Sequence, residues 1–303
     1  MPTTTPAVLE ALRGTVGLWT FAHETLDAAR SSEVAAYAES LGYSSLWMPE
    51  AYGREPLVSS SLMLAGTSTL VVGTSIASIW ARDAMAAANG SRTLNAAFDD
   101  RFILGLGVSH KPMVERTRGH SYKRPVAAMA AYLEALDTAA MFAPEGSSRP
   151  PRLIAALGPA MLELAATKAD GAMPYLVTPE HTAMARDVLG PEAFLVVEQA
   201  VALTDDDEDF RSRAHQHLTI YTGLPNYQNN WRRLGFGDED FIPGGSARLQ
   251  DAMVVRGDEA AVADRVAEHR QAGADHVCLQ ILGAEPFGWA KNDWLRLSPM
   301  KGA

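Results

Sequence analysis

Two neighbouring stretches, "TVGLWTF" (15–21) and "SSEVAAYAESLGYSSLWMPE" (31–50), decide how this chain is read. The first is a strand candidate. The second is a helix, a turn and another strand: Ser31 or Ser32 can cap the helix, Val34, Tyr37, Ala38 and Leu41 recur at helical spacing, and Gly42 stops it. One βαβ unit is thus complete by Trp47, after a polar tail ending near Arg13. The pattern then repeats in "LVVGTSIAS" (70–78), "RFILGLG" (101–107), "PRLIAAL" (151–157), "GAMPYL" (171–176), "AFLVVEQAVAL" (193–203) and "DHVCLQIL" (275–282). Ala-rich helical stretches separate them at 83–98, 122–142, 159–168, 179–189 and 258–272. Eight short apolar strands alternating with helices are what a (β/α)₈ barrel requires, with its site on the loops after the strand C-termini. A doubly wound parallel sheet is the alternative. The tract 205–257, an acidic "DDDED", a helical "FRSRAHQHLTIYTG" and then "LPNYQNNWRRLGFGDEDFIPGG", rich in Pro, Gly and Asn, fits neither a short loop nor a repeat and reads as an insertion beside the barrel mouth, a lid or a partner surface within one 303-residue domain.

Composition narrows the function. The chain is 47% hydrophobic, enough for a large core, and its net charge of −10 argues against nucleic-acid binding, which needs basic surface. Met1–Glu10 lacks the basic start and apolar run of a secretion signal, and no run approaches the roughly 20 residues of a membrane helix, so a cytoplasmic protein without a membrane partner is expected. The single cysteine, Cys278, excludes a disulfide framework within the chain and reads as a small buried strand residue. His215 and His217, two apart on a probable helix, diverge too far to share a metal ion, so no metal is expected. "GLGVSH" (105–110) starts as a G-x-G but lacks the third glycine of a dinucleotide loop.

Five motifs in order, "SLWMPE", "VVGTSIASIWARD", "RFILGLGVSHKPMVE", "LIAALGPAMLELAATKADG" and "RGDEAAVADRVAEHRQAGADHVCLQIL", resemble the bacterial luciferase-like superfamily, in particular its branch using the deazaflavin coenzyme F420. The resemblance implies a (β/α)₈ barrel that holds a flavin or deazaflavin at its C-terminal mouth, acts on a small molecule and forms a homodimer. It implies a bulge with a non-prolyl cis peptide at Ser75–Ile76 beneath the middle ring, Glu50 near the cofactor's polar edge, and Ser78 beside it. In several relatives a histidine implicated in proton transfer follows the acidic residue. Here that position is Ala51, which cannot move a proton.

On the barrel reading, Gly105 and Gly107 let backbone pack closely at the strand exit, and Val108, Ser109 and His110 turn into the mouth. His110 is the candidate acid or base, or else a structural hydrogen-bonder, with Ser109 the better candidate for touching the cofactor's chain. Five cations, Lys111, Arg116, Arg118, Lys123 and Arg124, stand against Glu115 alone, a segment suited to the anionic tail of coenzyme F420 or simply a solvated helix flank. Ala156, Leu157 and Gly158 lead into Pro159, where a helix start can accept a phosphate; relatives often carry Gly-Gly-Pro, and Leu157 replaces the first glycine. Trp19, Phe21, Trp47, Trp80 and Tyr175 would form an aromatic rim for an apolar or ring-bearing substrate. The expected activity is hydride transfer between coenzyme F420 and a small organic substrate. The alternatives are an FMN-dependent monooxygenase on the same fold and, because of Ala51, a deazaflavin-binding barrel without turnover.

Overall fold

The computed structural model describes residues 5–299. Its strands are β1 (Val16–Trp19), β2 (Ser45–Met48), β3 (Val71–Thr74), β4 (Ala77–Ser78), β5 (Phe102–Gly107), β6 (Arg152–Ile154), β7 (Gly171–Ala172), β8 (Phe194–Ala202), β9 (Val254–Arg256) and β10 (His276–Ile281). Neighbours pair in parallel, and β10 pairs with both β1 and β8, so the sheet closes on itself. A doubly wound sheet stays open; this one closes through β10, and the (β/α)₈ barrel is the fold. The eight staves lie where the apolar runs place them.

Local chemistry sets the helices around the wall. Asp83, Thr178 and Asp258 each accept a backbone N–H from the first turn of the helices Ala84–Ala97, Pro179–Leu189 and Glu259–Gln271. Pro56–Ala65, for which no helix is expected above, forms one because Glu55 caps Val58 N at 2.7 Å and Pro56 fits the first position. Neither Ser31 nor Ser32 caps the helix at Ser31–Ser40, since a 3₁₀ turn at Ala28–Arg30 runs into it; Gly42, at φ 83°, does end it.

The interior of the barrel is apolar. Ile103, Leu153, Met173, Phe194, Val196 and Cys278 meet there with Trp19 and Trp47. The tail before Arg13 departs from its polar reading: Ala7–Leu12 is a helix whose Leu9 and Leu12 join this interior cluster. Trp47 also departs from expectation. Its side chain is fully buried, donates to Ser45 Oγ at 2.7 Å and lies near His276, which starts β10, so it fills the barrel instead of lining the rim.

The insertion is built into the wall. The last strand of the tract, β9, pairs with Ala200–Ala202 of β8, on the edge that the short β7 occupies lower down at Phe194 and Leu195. Its helices Asp207–Leu218 and Pro225–Arg233 bring Phe210, Leu218, Tyr227 and Trp231 into a second core over this side of the mouth. Among the described residues, no helix is long and apolar enough to cross a membrane.

Candidate active site

The third stave breaks at the mouth. Gly73 pairs with Ile103 and Ala77 with Leu106, four steps against three, so one extra residue bulges out between β3 and β4. Thr74 Oγ1 bridges the gap, donating to Gly105 O at 2.7 Å and accepting from Gly105 N at 3.0 Å. The Ser75–Ile76 peptide inside the bulge is cis. The glycines of β5 fit it: a Cβ at Gly105 would overlap the Thr74 carbonyl oxygen, and one at Gly107 would overlap the Ile76 side chain. Trp19 Nε1 donates to Ser75 O at 3.3 Å and Glu50 N to Ile76 O at 3.1 Å, which fixes the bulge from two neighbouring staves.

Glu50 is the hub of this corner. One carboxylate oxygen accepts from Arg82 Nη2 and Arg118 Nη2, both at 2.9 Å; the other accepts from Ser78 N at 2.7 Å and Arg82 Nη1 at 3.0 Å. With its side chain 7% exposed and both oxygens engaged, Glu50 serves here to position Arg82, Arg118 and the bulge. Two readings change with it. Arg118 is committed to Glu50 and not to a cofactor tail. Ser78 uses its N–H on Glu50 and its Oγ on Trp80 N, so it braces the acid from behind. Arg82, four residues beyond Ser78 in "SIWARD", is the partner that sequence reasoning overlooked.

Past β5, Ser109 takes a left-handed backbone at φ 55° and turns the chain inward. Trp80 Nε1 holds Val108 O at 2.9 Å, and Tyr122 reaches Ser109 O at 3.5 Å. His110 faces Tyr227 of the insertion, ring centroids 5.7 Å apart; its Nδ1 is buried with no partner among the described residues. Burial holds its pKa below the ordinary histidine value, against a raising hydrogen bond with Asn226, so it is a neutral imidazole at pH 7.

At the other end, Gly158 caps the helix Pro159–Lys168, and Arg233 Nη2 lies 3.2 Å from where a Gly158 Cβ would stand. Leu157 O is taken by His181 Nε2 at 2.9 Å, while the Ala156 side chain is buried in the core shared with the outer helices. Lys111 lies near Glu115 at 3.9 Å; Arg116, Lys123 and Arg124 are exposed, with no ion pair among the described residues.

The remaining aromatics cluster where barrel and insertion meet. Tyr175 lies 5.1 Å from Trp19, 5.4 Å from Tyr221 and 6.4 Å from Tyr227, and its hydroxyl donates to Gln280 Oε1 at 2.7 Å. Phe21 packs edge-on against Trp19 and Phe287. Beneath them, Glu198 of β8 is buried in the barrel; Leu176 N donates to one oxygen at 3.0 Å, and the other has no partner among the described residues. Burial pushes its pKa up to about 8, so it is a neutral acid at pH 7. A lone acid inside the nine-residue apolar run "FLVVEQAVA" was a visible signal, unused above. Among the described residues no cluster of His, Cys, Asp or Glu could hold a metal, and His215 and His217 diverge: the first packs on Gly244, the second near Tyr175.

Known proteins share this architecture. Over 250 residues, 69% of this chain and 73% of the relative, it is 27% identical to Rv1360, an uncharacterized protein of Mycobacterium tuberculosis. Over a shorter 103 residues, 34% of this chain and 30% of the relative, it is 31% identical to Rv3520c of the same organism, named for a coenzyme F420-dependent oxidoreductase activity. An F420-dependent secondary alcohol dehydrogenase in complex with an F420-acetone adduct superposes with a TM-score of 0.73 at 12% identity, over 94% of this chain and 97% of that one. The oxygenating constituent of 3,6-diketocamphane monooxygenase from Pseudomonas putida, in complex with FMN, does so with a TM-score of 0.70 at 12% identity, over 94% and 96%. Residues 14–276, which hold the first seven staves, the start of the last, the bulge and the Glu50 clamp, match the family described as luciferase-like monooxygenase, and the chain belongs to that family.

Proposed function

We propose that the protein is a coenzyme F420-dependent oxidoreductase acting on a small organic substrate. The observation that carries the choice of cofactor is the trio of exposed, unpaired cations Arg116, Lys123 and Arg124 on the segment leaving β5, in a chain of net charge −10. Coenzyme F420 ends in a phosphodiester and a glutamate tail, which such a segment favours; the kinship with Rv3520c supports the same choice. The residues present fit the group. Part-exposed Ser75 and Ile76 offer a platform, Gly107 leaves room for Ile76 beside it, His110 keeps a buried nitrogen unpaired, and Arg233 stands over the helix start at Gly158.

When bound, the deazaflavin supplies or accepts hydride. The chain's own tasks follow from the geometry. Glu50 holds Arg82 and Arg118 and, through Ser78 N and its own N–H, the two sides of the bulge. The N–H groups at Gly158 and the Arg233 guanidinium meet phosphate. His110, neutral at pH 7, takes a proton from a substrate hydroxyl in the oxidative direction. The tyrosines and tryptophans around Trp19 and Tyr175 exclude water.

The FMN-dependent monooxygenase is the second reading, favoured by the family's description and by the FMN complex that shares the fold. The test is to mix the protein anaerobically with oxidised coenzyme F420 and a panel of alcohols, and with its reduced form and a panel of ketones and unsaturated carbonyls, following the deazaflavin's visible band. Bleaching or recovery that depends on substrate supports the proposal. Turnover only with FMN and oxygen sinks it.

A further inference from the structure

A cleft opens between the first stave, the last stave and the insertion helix Asp207–Leu218. Its walls are apolar: Trp19 and Phe21 from the end of β1, Leu282 after β10, and Phe287, which packs 4.8 Å from Phe21. Its polar lining is uneven. Arg213 is committed, with Asp209 at 2.7 and 2.9 Å and Leu282 O at 3.0 Å, while Glu285 stands exposed at the rim. The inner end carries His217 and Gln280. His217 Nε2 is buried with no partner among the described residues, and Gln280 accepts at its Oε1 from Tyr175 while its amide nitrogen makes no hydrogen bond among the described residues.

A buried polar atom without a partner costs free energy, so its retention at the head of an apolar cleft points to a guest that completes it. We propose that this cleft seats an uncharged guest with an apolar or ring-bearing body and a single hydroxyl or carbonyl, held by His217 Nε2 and the Gln280 amide. Charge on the guest is disfavoured at both signs. Burial holds the His217 pKa down to about 4, so a neutral imidazole meets the guest and gives an anion no partner charge, and Glu285 repels an anion at the entrance. No carboxylate lines the inner end to receive a cation. That this guest is the substrate rests on the oxidoreductase reading; that the cleft takes such a guest does not.

The experiment therefore uses the protein without cofactor. Benzyl alcohol, toluene, benzoate and benzylammonium are titrated at millimolar concentration, followed by the His217 imidazole ¹⁵N resonances and the Trp19 indole N–H. Benzyl alcohol is expected to shift both sets, and the two ions neither. In His217→Phe the Trp19 signal should report benzyl alcohol binding about tenfold weaker, the cost of one lost hydrogen bond, with toluene binding no weaker. Equal weakening of both ligands, benzoate binding as well as the alcohol, or no response to any ligand overturns the assignment. The comparison of neutral and charged ligands on the natural chain decides the matter even if the variant does not fold. Failure of hydride transfer with coenzyme F420 alongside a positive titration would remove the cofactor reading and leave the cleft.

Discussion

Glu50 and Glu198 are two buried carboxyls a few staves apart with contrasting partners: four hydrogen bonds on Glu50 and one on Glu198. With the Glu50 and Arg82 side chains 7% and 10% exposed, removing Arg82 takes two of the four hydrogen bonds from a buried carboxyl group and leaves it only Arg118 and the Ser78 N–H. Arg82→Ala should therefore cost about 3 kcal/mol in urea unfolding; a loss below about 1 kcal/mol would show the pair to be screened. Glu198 has only the Leu176 N–H, and burial lifts its pKa from 4.5 to about 8. Between those values the folded protein keeps a proton that the unfolded chain releases, so this carboxyl makes stability fall as pH rises from about 4.5 to about 8 and adds no further loss above. Glu198→Gln should then gain on the natural chain across that window, by a few kcal/mol at its upper end. Unfolding curves at both ends check it, and an equal difference at each would mean that Glu198 titrates normally. His110, whose pKa burial lowers, should lose its function as a base only as pH drops below the ordinary histidine range of about 6.5. A fall of kcat beginning above that range would point to another group.

At the level of the element, β5 and the bulge it faces separate fold from function in one strand. Gly105 opposes backbone, the Thr74 carbonyl, which cannot move without breaking the Thr74 bridge; Gly107 opposes the tip of the Ile76 side chain, which can rotate. Gly105→Ala should unfold the protein or lower its melting point severely, whereas Gly107→Ala should melt close to the natural chain and weaken cofactor binding by pushing Ile76 into the mouth. Equal melting points would contradict this division. Both glycines were legible as close-packing positions because a strand interior otherwise disfavours glycine. The Glu50 clamp was not. Arg82 and Arg118 lie 32 and 68 residues from Glu50, and nothing in local spacing joins them. Trp47 was misplaced for a related reason: alternation assigns a residue to the inside of the barrel but does not say whether its ring points to the mouth or, as here, toward His276.

For the whole molecule, the barrel was readable because apolar runs alternating with helices leave a chain of this length few ways to bury both faces of a parallel sheet. The insertion was readable only as an interruption. Its Tyr227, Tyr221 and His217 complete the mouth, and the Pro225 and Asp206 signals at its helix starts have meaning only once Trp231 and Phe210 are seen packing on the barrel. The cations after β5 act at this scale too. Lys123→Ala with Arg124→Ala should weaken long-tailed coenzyme F420 severalfold, more at low salt than at high, and leave a tail-free analogue unchanged; equal effects on both would tie these residues to stability instead. The most direct measurement of the central claim is a side-by-side titration of the purified protein with coenzyme F420 and with FMN, read by quenching of tryptophan fluorescence. The account predicts saturable binding of coenzyme F420 at least tenfold tighter than FMN; tighter binding of FMN, or no binding of either, would contradict it.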